Sequence, residues 1–109
     1  MSNLSYGLEA EFKIIFNGTI QELAAKISEG LSISGFWFDN SMDSPYNNLA
    51  LCEVFGFEVE IQEIAPNEYL FIAMTTNSFK EIANGRMHDF SIWFSKYISF
   101  ACKLDNIIL

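Results

Sequence analysis

The sequence predicts an α+β domain: an antiparallel β-sheet of four to five strands covered on one face by two helices, in the order β-α-β-β-β-(α)-α. Three observations carry that prediction. Segments with an apolar residue at every second position, notably 10–17 and 57–62, have the period of strands with one packed and one wet face. Segments with apolar residues three and four apart, from Ile20 and again from Phe90, have the period of helices. Half of the 109 residues are apolar, including eleven Phe, two Trp and four Tyr, so the chain can bury a core without metal or disulfide staples. That length suits one domain, residues 1–109, and the composition is too apolar for a disordered chain.

In order along the chain, Phe12, Ile14 and Phe16 face one side of a strand at about 10–17, with Glu11 and Lys13 on the other, and Asn17-Gly18 ends it. Thr19 followed three residues later by Glu22 forms a capping box, because each side chain can satisfy an orphan backbone N–H. A helix at about 19–30 follows, with Ile20, Leu23, Ala24, Ile27 and Leu31 at helical spacing and Gly30 as its stop. Residues 32–39 read as a second strand, and the turn-rich run from Asp39 to Asn48 as a loop. The chain is extended from Leu49. Phe57, Val59 and Ile61 alternate with Glu58, Glu60 and Gln62, Ala65 to Glu68 turns, and Tyr69 to Thr75 returns. This hairpin is expected at the centre of the sheet. Ser78 with Glu81 suggests a short helical turn through Ala83. Asp89 is a candidate cap for a last helix carrying Phe90, Trp93, Phe94, Tyr97, Ile98, Ala101 and Cys102, with Lys96 and Lys103 suited to its later turns. Asn106 to Leu109 forms either a final edge strand or a docked tail. No repeat, low-complexity segment or linker interrupts the chain.

Charge then narrows the function. Fourteen Asp and Glu against six Lys and Arg give a formal net charge of −8. Nucleic-acid binding draws its affinity from clustered cations that neutralise phosphates. Here Lys13, Lys26, Lys80, Arg86, Lys96 and Lys103 are scattered singly, which argues against DNA, RNA or an anionic membrane as a direct partner. Met1 to Gly7 has neither the basic nor the apolar region of a secretory signal. No run approaches the roughly 18 apolar residues of a membrane-spanning helix. Cys52 and Cys102 form no CxxC pair and fit buried thiols of a cytoplasmic protein.

Reactive groups are few. His88, the one histidine, has no assignable nucleophile and orienting carboxylate around it, and reads as a surface or capping residue. One His and two distant Cys do not make a zinc site. Asp39-x-x-x-Asp43 lacks the further acids, central Gly and distal Glu of a calcium loop. GxGxxG, GxxxxGK[ST], HExxH and GxSxG are all missing. Glu58 and Glu60 share one strand face, but acid–base work by such a pair requires burial to split their pKa values, and alternation puts them on the wet side. The expectation is therefore a protein without catalytic residues, metal or cofactor.

What stands out is acidic. Asp39, Asp43, Glu53, Glu58, Glu60, Glu63 and Glu68 follow one another with no Lys or Arg between Lys26 and Lys80. A solvated sheet face is one reading. The sharper one is a binding surface, since a field of one sign steers an oppositely charged partner to the encounter. Asp39, Asp43, Glu58 and Glu60 are the expected partner-binding residues, with Tyr46 as an aromatic anchor near them.

Three stretches, Gly35-Phe-Trp-Phe-Asp39, Phe57-Glu-Val-Glu60 and His88-Asp-Phe-Ser-Ile-Trp93, sit in a small acidic chain that resembles the immunity proteins of bacterial contact-dependent growth inhibition. The resemblance covers under half of the chain and transfers no binding residue by position. It implies a non-enzymatic cytoplasmic inhibitor that binds the C-terminal domain of a cognate toxin, often a basic nuclease. Two other classes compete with it. A small-molecule or peptide-binding module, or a subunit of a larger assembly, would use the aromatic residues to line a pocket. A small hydrolase would need the acid pair sunk in a cleft. The Phe and Trp excess also suits a dimer interface, so the sequence leaves the oligomeric state open.

Overall fold

Strand alternation and helix amphipathicity meet on one shared side of a sheet. The computed structural model describes residues 7–39, 48–54, 56–76 and 87–109. In chain order the elements are β1 (Gly7–Ile15), α1 (Ile20–Leu31), β2 (Trp37–Asp39), β3 (Leu49–Val54), β4 (Phe57–Ala65), β5 (Glu68–Thr75), β6 (Met87–Asp89), α2 (Ser91–Cys102) and β7 (Ile107–Ile108). The strands form one sheet in the order β2-β3-β4-β5-β1-β6, and β7 pairs with β1. Pairing is antiparallel throughout except between β1 and β6, which run parallel. The architecture is thus the expected α+β sheet with two described helices on one face and the β4–β5 hairpin at its centre, but it has seven described strands instead of four to five, because 49–54 and 87–89 each add a short strand of their own.

The inward residues of the long strands are Ala10, Phe12 and Ile14 on β1, Val59 and Ile61 on β4, and Tyr69, Phe71 and Ala73 on β5, all buried. Helix α1 lays Ile20, Leu23, Ala24 and Ile27 on them, and α2 adds Ile98 and Cys102. Rings join the layers. Phe12 and Phe71, neighbours across the β1–β5 ladder, stack at 4.9 Å, and Phe94 of α2 lies 5.8 Å from Phe71 and 6.4 Å from Phe12. Each large side chain removed from water here contributes about 1.5–3 kcal/mol.

Helix α1 starts as its sequence prescribes. Thr19 Oγ1 accepts the Glu22 N–H at 3.1 Å, while Glu22 Oε1 accepts the Thr19 N–H at 3.0 Å. It ends one residue beyond the expected stop. Ser32, not glycine, adopts the left-handed conformation (φ 56°), and the Ser32 and Ile33 N–H groups bond to the Glu29 and Ser28 carbonyls. This cap consumes the start of the expected 32–39 strand, so β2 begins only at Trp37. Gly30 serves a different purpose. It faces α2 so closely that an added Cβ would sit 2.6 Å from the Ala101 carbonyl oxygen and 2.9 Å from the Cys102 Cα.

Strand β1 spans 7–15 instead of about 10–17. Its early start is drawn out by the parallel pairing of Gly7, Leu8 and Glu9 with Met87, His88 and Asp89. Its end comes where Phe16 N–H turns to the Asn67 carbonyl of the hairpin loop. In that loop Pro66 is followed by Asn67 in the left-handed region, φ 62°, the residue types a tight turn selects. Tyr69 Oη, buried at the base, donates to the Gly18 carbonyl at 2.6 Å and ties the hairpin to the β1–α1 turn.

Asp89 falls one residue short of its expected place. Phe90 is the N-cap of α2, and Asp89 ends β6. The Asp89 carboxylate still accepts from the Ser91 N–H and Ser91 hydroxyl, and Ser91 Oγ accepts the Glu11 N–H at 2.9 Å. Of the two alternatives for the C-terminal residues, the strand is the one found: Ile107 and Ile108 pair opposite Ile14 and Lys13. The helical turn at Ser78 to Ala83 lies outside the described residues.

Two outcomes follow from the helix crossing. Gly30→Ala gains about 1 kcal/mol of helix propensity but overpacks the crossing, so a net loss of about 1–3 kcal/mol is expected, read as a lower urea midpoint. Loss of hydration pushes the Cys102 thiol up to about 11, with Lys26 pulling weakly the other way, from a reference of 9.0. A pKa raised on folding gives stability that is complete below the unfolded value and lost as pH climbs through the folded one. Stability should therefore fall between about pH 9 and pH 11, and Cys102→Ala should flatten that slope in urea titrations across this range.

Candidate functional surface on the open sheet face

Both described helices cover one side of the sheet, so the outward residues of the strands form a face of their own. The ladder registers arrange it in three rows. The first runs Glu53, Glu58, Met74, Glu9 and Asp89 across β3, β4, β5, β1 and β6. The second runs Trp37, Leu51, Glu60, Ile72 and Glu11. The third runs Asp39, Leu49, Gln62, Leu70, Lys13 and Ile108. Acid is thus concentrated at one end of the strands, with an apolar ridge from β5 through its middle.

Two hollows flank that ridge and share Ile72 and Met74. One, about 370 Å³, is lined by Glu9, Glu11, Asp89 and Ser91. The other, about 200 Å³, is lined by Glu53, Glu58 and Glu60 together with Trp37, Leu51, Cys52 and Val59. Each hollow therefore presents three carboxylates beside apolar surface. Trp37 stands at the margin with 64% of its surface exposed. The Ser91 hydroxyl and backbone N–H both donate to Asp89, which holds its carboxyl below the usual range and keeps it charged. Loss of hydration raises the Cys52 thiol, leaving it a poor nucleophile near neutral pH.

Among the described residues, Lys13 is the one Lys or Arg on this face, and Glu68 holds it at 3.2 Å. Lys26, Lys96 and Lys103 belong to the helical side. Glu53 and Glu58 are direct cross-strand partners. Like charges placed so oppose the pairing of their strands. The fold thus carries a local cost that an incoming cation would remove. Gln62 Oε1, in the third row, is buried without a hydrogen-bond partner, a further polar group whose desolvation goes uncompensated.

Of the expected partner-binding residues, Asp39, Glu58 and Glu60 share this face, Asp39 two rows away from Glu58. Asp43 and Tyr46 lie outside the described residues. Two other acids of the central run are engaged internally. Glu68 pairs with Lys13, and Glu63 accepts from Asn48 Nδ2 at 2.8 Å. Glu63 also raises the Tyr69 hydroxyl pKa, an effect second to that ring's own burial. Sequence reasoning missed Glu9, Glu11 and Asp89. The alternation at Glu9 and Glu11 was visible, but which strand lies beside β1 was not.

A different opening, about 690 Å³, lies between the helices, lined by Glu22, Ala25, Lys26, Glu29, Gly30, Ala101, Cys102 and Lys103. Its charges are of both signs. His88 is exposed on β6, in register with Leu8. Among the described residues no cluster of three His, Cys, Asp or Glu could hold a metal ion, and no helix is long and apolar enough to cross a membrane. No protein-family model, curated protein or solved structure matches the chain.

The Glu53–Glu58 repulsion is measurable without any partner. Glu53→Gln should raise stability by about 0.2–1 kcal/mol at low ionic strength. The gain should shrink at about 1 M salt, where the screening length falls to about 3 Å; paired thermal melts of both proteins read it directly.

Proposed function

We propose that this chain is a non-enzymatic inhibitor that binds and neutralises a cationic protein domain through its open sheet face. By resemblance, the partner is a toxin domain of a contact-dependent growth inhibition system, a basic nuclease being the expected kind, met in the cytoplasm. One observation carries the reading. Three strands, β1, β3 and β4, bring Glu9, Glu11, Glu53, Glu58 and Glu60 onto one face, with Asp89 of β6 beside them, and no described cation on that face except Lys13, already paired.

The chemistry of the face fits a protein partner. Arg and Lys side chains of such a domain would enter the two hollows as charge-assisted hydrogen-bond donors. Trp37, Leu51, Ile72 and Met74 supply apolar area between them, and aromatic and Met side chains are enriched where interfaces desolvate. Carboxylates spaced along paired strands would also compete for the groove in which a nuclease holds phosphates. The rival reading, a small-molecule module, favours a mostly apolar enclosed pocket, whereas both hollows here are rimmed with acid.

The test uses the C-terminal domain encoded immediately upstream in the source genome. That domain should bind the chain with an affinity that falls steeply with salt, and co-expression should protect cells from it. Glu58→Lys combined with Glu60→Lys should cost about 2–5 kcal/mol if the carboxylates are desolvated in the complex, with the largest loss at low salt and with protection abolished. Unchanged binding by that variant would remove the sheet face from the proposal, and an upstream domain that neither binds nor harms cells would remove the toxin.

A further inference from the structure

Helix α2 is apolar on two sides, and only one of them reaches the core. Phe94, Ile98 and Cys102 turn inward, whereas Trp93, Tyr97 and Phe100, spaced by four and three residues, form a ridge on the opposite side. Phe100 is 87% exposed, Ile92 63% and Trp93 61%, and Phe90 and Tyr97 are exposed with them. The Trp93 and Tyr97 rings are stacked at 5.6 Å, and Phe90 lies 6.3 Å from Trp93, so the rings of the ridge form one contiguous aromatic surface. At about 200 Å² per large aromatic side chain, these five residues leave on the order of 600 Å² of apolar surface in water. That is the upper end of about 300–600 Å² for the largest patch of a typical monomer, and most of the about 800 Å² each partner contributes to a standard interface.

We propose that this ridge is the contact between two copies of the chain, which pair α2 against α2 about a two-fold axis. The occupant follows from how charge is divided. Each chain carries −8, so two copies repel unless they meet where the charge is weakest. The described free lysines, Lys26, Lys96 and Lys103, all lie on the helical side, with Glu22 and Glu29 of α1 among them. The open sheet face carries the carboxylates. Joining the helical sides puts two helical layers, each about 10 Å thick, between the acidic faces. That separation exceeds the about 8–10 Å screening length at physiological salt. An isologous contact is self-complementary by symmetry. A ridge of residues four and three apart packs into the grooves of its twin, and Lys96, between Trp93 and Phe100 on the helix surface, can lie over a ring of the facing copy. The sheet faces then point outward in opposite directions, which makes the assembly bivalent without using any residue of the proposed inhibitory surface.

Sedimentation equilibrium of the full chain, from low micromolar to sub-millimolar concentration, tests this. The expected mass is twice the 12.4 kDa of the single chain. Trp93→Glu and Phe100→Glu, both at exposed positions, should each weaken self-association by at least about 30-fold, the effect of a central interface residue, while leaving the melting curve of the monomer in place. Glu58→Lys should leave the dimer intact. A wild-type chain that stays at 12.4 kDa throughout, or a dimer that survives both α2 substitutions, overturns the proposal.

Discussion

The two-residue repeat of β1, β4 and β5 is the constraint from which the remaining architecture follows. It sends Phe12, Ile14, Val59, Ile61, Tyr69 and Phe71 to one side and Glu9, Glu11, Glu58 and Glu60 to the other. A one-residue slip of any ladder would exchange those sets. The helices have a single place to go, because only one side offers Ile20, Leu23, Ile27 and Ile98 an apolar surface. Both described helices lie there, and the polar character of the other side is a product of the same alternation. Core and acidic surface are two readings of one pattern.

Their magnitudes explain why the pattern persists despite its repulsion. Nine large side chains are essentially fully buried among the described residues. At about 1.5–3 kcal/mol each, they outweigh by an order of magnitude the about 0.2–1 kcal/mol typical of a cross-strand pair. The ladder can therefore hold Glu53 against Glu58 without losing its register. Backbone pairing fixes where these glutamates leave the sheet, so their negative charge is gathered on one face whatever the side-chain rotamers.

How much of this could be read in advance depended on the range of the interaction. The Thr19–Glu22 capping box and the β4–β5 hairpin are local, and both stand where the sequence puts them. Strand β2 is shorter than its sequence suggests because Ser32, with a side chain that disfavours the left-handed region, takes that conformation to close α1. The spacing marks Gly30 as a helix stop, yet its role appears only with α2 in place, 2.6 Å from where its Cβ would be. The neighbours of β1 lie far along the chain, Phe12 opposite Phe71 and Glu9 beside Asp89. Half of the acidic row was therefore invisible until the register was known. Helix α2, apolar nearly all round, gave its period but not its inward side.

The margins of the sheet bear on a different property. Both terminal strands, β2 and β6, are three residues long, and each ends in an aspartate, Asp39 and Asp89. Short charged borders give a foreign strand little backbone to add to. The outer flank of β1 is divided between β6 at one end and β7 at the other, leaving no long free rim there. A chain this rich in Phe, Ile and Trp can thus expose wide aromatic surface on α2 while the borders of its sheet offer little backbone for open-ended stacking into fibres.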